Sequence, residues 1–124
     1  MRKLITLLIT GFLIITAQPA KADEGYNGKE LAKRYQYLAT KFDQNAKRFV
    51  AKSSDKNLEK KLRSAYQEGA IEFAKLAKIA RSQIKTSNKI GNKKVTSNSL
   101  KTLVNIHQKA LGIYKKINKI KASN

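Results

Sequence analysis

Between Gly28 and Lys52 the large apolar residues fall at Leu31, Tyr35, Leu38, Phe42, Phe49 and Val50, with Ala32, Ala39 and Ala46 between them. Steps of three and four residues put these side chains on one arc of a helix, so the spacing predicts a helix over about 28–52. Tyr35, Phe42 and Phe49 recur every seven positions, which marks a packing seam. Asn27 or Gly28 can cap the start of this helix, and Glu30 suits the positive end of its dipole.

The run Ser53, Ser54, Asp55 then interrupts the period with residues that cap helices better than they continue them. A second helix is expected over about 55–86, with Leu58, Leu62, Ala65, Tyr66, Gly69, Phe73, Leu76, Ala77, Ala80 and Ile84 on one face. Its small residues Ala65, Gly69 and Ala80 allow a neighbouring helix to approach closely and to seat the aromatics of the first. Ile71 and Ile79 lie off that face. Residues 87–98 lose the helical period, are rich in Ser, Asn and Lys around Gly91, and read as a loop.

A third helix is expected over about 99–121. Leu100, Leu103, Val104, Ile106, Ala110, Leu111, Ile113, Tyr114, Ile117 and Ile120 spread over roughly half its circumference. So wide an arc suits a helix that packs against both others, or one that keeps an edge for a lipid surface or a second copy. Together the three patterns predict an all-α fold, a small up-down-up three-helix bundle forming one domain over 23–124.

Ahead of that domain, Arg2 and Lys3 precede an apolar run from Leu4 to Thr16, shorter than the about 20 residues that span a bilayer. Ala20 and Ala22 flank Lys21 in an A-x-A arrangement, so residues 1–22 read as a secretory signal peptide cleaved before Asp23. The expectation is export, to the periplasm or beyond the cell. With no cysteine, the domain has neither disulfides nor a lipid-attachment thiol, and must rest on packing. No N-x-Ser/Thr triplet occurs, which favours a bacterial envelope protein over a glycosylated one.

Charge changes the picture more than composition does. The chain has 27 basic and 8 acidic residues; less Arg2, Lys3 and Lys21, the expected exported form keeps 24 basic ones. Glu72 is the last carboxylate side chain, and the 13 basic residues beyond it have no acidic counterweight in sequence. Lys75, Lys78, Arg81 and Lys85 share the polar side of the second helix, Lys89, Lys93 and Lys94 follow in the loop, and Lys101, Lys109, Lys115, Lys116 and Lys119 take the polar side of the third. These twelve residues form the candidate basic surface, and a solvated, purely solubilising face is the alternative use of the same charges.

Little catalytic chemistry is available. His107, the only histidine, falls in the apolar arc of the third helix, where a core role is expected. A metal there would need Glu68 or Glu72 as further ligands, and their spacing from Lys75 instead suggests surface ion pairs such as Glu72 with Lys75 and Glu59 with Arg63. Haem is disfavoured: C-x-x-C-H is absent, and the only methionine, Met1, falls in the expected signal peptide. The phosphate-loop, nucleophile-elbow and H-E-x-x-H motifs are absent too. The expectation is therefore a non-enzymatic binding or accessory protein without a cofactor.

Its expected partner is an anionic envelope component, such as lipid headgroups, lipopolysaccharide or a cell-wall polymer, or an acidic envelope protein met through Tyr37, Ile71 and Ile79. Sequence-specific nucleic-acid recognition is disfavoured, because the basic half has one arginine, Arg81, and its aromatics Phe73 and Tyr114 lie on apolar arcs. The rival reading is a membrane-active or toxin-like protein whose third helix inserts into a bilayer.

Overall fold

A computed structural model of the chain describes residues 26–123. The expected signal peptide, with Ala20, Ala22 and Asp23 at its cleavage site, lies outside the described residues. Three helices account for the described fold: α1 (Gly28–Ser53), α2 (Lys60–Ile90) and α3 (Ser97–Ala122). The all-α reading holds.

The start of α1 accounts for each of its first amides, which a helix leaves without internal partners. Asn27 caps it as expected, its Oδ1 accepting from the Glu30 amide at 2.9 Å while its carbonyl accepts from Leu31. The amides of Gly28 and Lys29 donate to the carbonyls of Lys93 and Gly91, at 3.1 and 3.0 Å. Val95 in turn donates to Tyr26. The connection between α2 and α3 is thereby stitched to the first turn of α1.

The helix boundaries depart from the expected ones at three places. Asp55 does not open α2: its Oδ1 accepts from the Asn57 amide at 3.0 Å and its carbonyl from Leu58, so it builds a turn. Helix α2 starts at Lys60 instead. At its other end α2 runs through Thr86, Ser87 and Asn88 to Ile90, although these residues favour loops. Ser87 is buried beneath the start of α1, and that packing overrides local propensity. Gly91, with φ of 66°, ends the helix where an L side chain would be strained. Helix α3 begins at Ser97 because Thr96 caps it, its Oγ1 accepting from Ser99.

Helices α1 and α2 meet along their length. Gly28 lies against Ile90 and Gly91, Phe42 stacks on Phe73 at 5.9 Å, and Phe49 meets Tyr66 edge-on at 5.0 Å. Helix α3 touches both: the Tyr35 hydroxyl donates to the Ser99 carbonyl at 3.1 Å, and Tyr114 packs on Phe49 and Phe73. The core runs from Leu31 to Ile117 and combines all three seams. Gly69 was expected to admit an aromatic, and it does: a Cβ there would come within 2.7 Å of the Phe49 ring. Val50, placed by its spacing on the apolar arc, is instead 55% exposed, because Phe49 occupies the core position and its neighbour points about 100° away.

Candidate functional site

Every one of the twelve basic residues singled out by charge is exposed. On α2 these are Lys75, Lys78, Arg81, Lys85 and Lys89; Lys93 and Lys94 follow in the connection; Lys101, Lys109, Lys115, Lys116 and Lys119 stand on α3. Where α2 meets α3, Lys116 binds Glu68 across the seam at 2.9 Å, and Lys75 lies 3.6 Å from Glu72. The same seam opens into a cleft of about 310 Å3 with Ala65, Gly69, Ile113 and Ile117 inside and Glu68, Glu72 and exposed Ile71 at the rim. These pairs neutralise charge along that stretch of the seam, around Glu68, Glu72, Lys75 and Lys116. Being well exposed, such pairs contribute only a few tenths of a kcal/mol each, so their effect is to erase local charge rather than to hold the fold.

Arg81 is committed differently. Its guanidinium pairs with Asp43 of α1, which marks the flank of α2 that faces α1. Lys85, one turn further on, continues that flank. The register of the two helices, with Gly28 beside Ile90 and Phe42 beside Phe73, then sets Lys29 at the level of Lys89 and Lys33 at the level of Lys85. Lys93 and Lys94 join them through the backbone bonds that fasten the connection to Asn27 and Gly28. Lys29 and Lys33 were missed from sequence because the first half of the chain has mixed charge. Their spacing of four residues, about one helical turn, was the available signal.

His107 is 1% exposed within α3, and burial, helped by the nearby Arg34 charge, pushes its pKa down to about 4. It is a neutral core residue at ordinary pH. Burial likewise pushes Tyr35 and Tyr114 up to about 12, with Arg48 opposing part of the shift at Tyr114. Among the described residues no three histidine or carboxylate side chains gather as metal ligands, and Glu68 and Glu72 face lysines. No described helix is long and apolar enough to cross a membrane. Of the other partner contacts considered, Tyr37 and Ile71 are exposed, with Lys41 lying 5.6 Å over the Tyr37 ring, while Ile79 is half-buried against the core. Comparison with protein-family models, with curated proteins and with solved structures found no match.

Proposed function

We propose that this chain is an exported, non-enzymatic binding protein of the bacterial envelope, an up-down-up bundle that meets a polyanionic partner through its lysines. One observation carries the reading: a core satisfied by packing leaves lysines clustered on the outside with carboxylates at only some of them. Holding like charges together destabilises a fold slightly, and a polyanion relieves that cost on binding. Solubility alone does not require such clustering.

The insertion reading is weakened by the way α3 spends its wide apolar arc. Leu100, Leu103, Ile106, Ala110, Tyr114 and Ile117 are buried and Val104, Leu111, Ile113 and Ile120 are half-buried, so inserting α3 would mean dismantling the core. The two readings separate in one assay on residues 23–124, which contain the whole described core. Binding to anionic vesicles that disappears at moderate salt and causes no dye leakage is expected; salt-resistant binding with leakage contradicts it. Sequencing the N-terminus of the protein recovered from cells tests export, and retention of Met1 rules it out.

A further inference from the structure

The geometry points to one end of the bundle, built by the first turns of α1, the last turns of α2 and the connection after it, as a docking face for a phosphate-bearing anionic bilayer. The inference rests on the polyanion reading above and narrows it to a place and a partner. Six exposed lysines from three segments converge there: Lys29 and Lys33, Lys85 and Lys89, Lys93 and Lys94. None of them lies within ion-pair distance of a described carboxylate. Glu30 is the one acidic residue on these segments, and it sits in the first turn of α1, where it complements the helix dipole.

Two further features suit this end to a flat anionic surface. Its lysines stand on backbone held in place, because Gly28 and Lys29 donate to Lys93 and Gly91, and Val95 donates to Tyr26. Preorganised cations lose less freedom on binding than cations on a mobile loop. A cleft with Glu68 and Glu72 on its rim lies elsewhere, between α2 and α3, so those carboxylates are not part of the lysine-bearing end. A bilayer presents many headgroups in a plane, and a lysine within about 8 Å of it escapes screening at physiological salt.

The test compares two variants of residues 23–124, each with four lysines exchanged for glutamine. The end variant carries Lys29→Gln, Lys85→Gln, Lys89→Gln and Lys93→Gln; the second carries Lys61→Gln, Lys109→Gln, Lys115→Gln and Lys119→Gln, which lie away from that end. Because all eight side chains are exposed, both variants should melt close to the parent, which circular dichroism checks. Binding is measured to vesicles of mixed phosphatidylglycerol and phosphatidylcholine, to phosphatidylcholine alone, and to soluble polyphosphate. Expected are selective binding to the mixed vesicles, a loss of more than about tenfold in the end variant, and a change within about threefold in the other. Equal losses in both variants overturn the docking face and leave the broader polyanion reading standing. Tight binding to polyphosphate with none to vesicles overturns the bilayer as partner. No binding to either anion by the parent overturns the broader reading as well.

Discussion

Gly69 and Gly112 are both glycines inside helices, yet they should respond to the same mutation in opposite ways. A Cβ on Gly69 would fall 2.7 and 2.8 Å from two atoms of the Phe49 ring, which Tyr66, Phe73 and Tyr114 hold on its other sides. The ring has little room to yield. Gly69→Ala is therefore expected to destabilise by about 1–2 kcal/mol, overpacking outweighing the helix-propensity gain. A Cβ on exposed Gly112 meets nothing within 4 Å, so Gly112→Ala should stabilise by about 0.5–1 kcal/mol. Chemical denaturation of both measures the difference, and like signs would contradict the close approach of α1 to α2.

His107 supplies a pH dependence with a definite sign. Its pKa falls from about 6.5 in the unfolded chain to about 4 in the fold, so the unfolded state takes up the proton first. Stability from this group is complete above pH 6.5, declines as pH falls towards 4, and is flat below. The shift corresponds to about 3 kcal/mol, and His107→Leu should remove most of that slope. A wild-type stability that is level between these pH values, or an unchanged slope in the variant, would show that the histidine is not neutral and buried.

At the scale of the helices, the pattern of apolar residues was a reliable guide wherever packing and period agree. Tyr35, Phe42 and Phe49 lie on a buried seam, and Gly69 takes an aromatic as its small size suggested. The ends of the helices were less legible. Asp55 has the chemistry of a helix cap but spends it on the turn to Asn57, and Ser87 has the propensity of a loop residue but is buried beneath α1. Both outcomes depend on contacts distant in sequence. The connection after α2 shows the same dependence: rich in Ser, Asn and Lys, it reads as loose, yet it donates to and accepts from the backbone around α1's first turn. Hydrogen exchange should accordingly find the amides of Gly28, Lys29 and Val95 protected well above those of exposed Asn92, and exchange at the unstructured rate would undo the stitched connection. Tyr35→Phe, which deletes the hydroxyl's bond to Ser99, should cost about 1 kcal/mol and leave α1 packed on α2.

For the molecule as a whole, the twelve cations were legible one by one and their arrangement was not. Sequence reveals that nothing acidic follows Glu72, but not that Glu68 would reach across to Lys116, nor that Asp43 would take Arg81. Those pairs neutralise some of the twelve candidate cations, and the register of α1 against α2 adds Lys29 and Lys33 to the rest. We propose that these charges, rather than the apolar arc of α3, make the contact with a polyanionic partner. The most direct measurement is the affinity of residues 23–124 for phosphatidylglycerol-containing vesicles across a series of salt concentrations. Affinity should fall steeply and continuously as salt rises, with no release of trapped dye. Affinity that is indifferent to salt, or that comes with leakage, would contradict it.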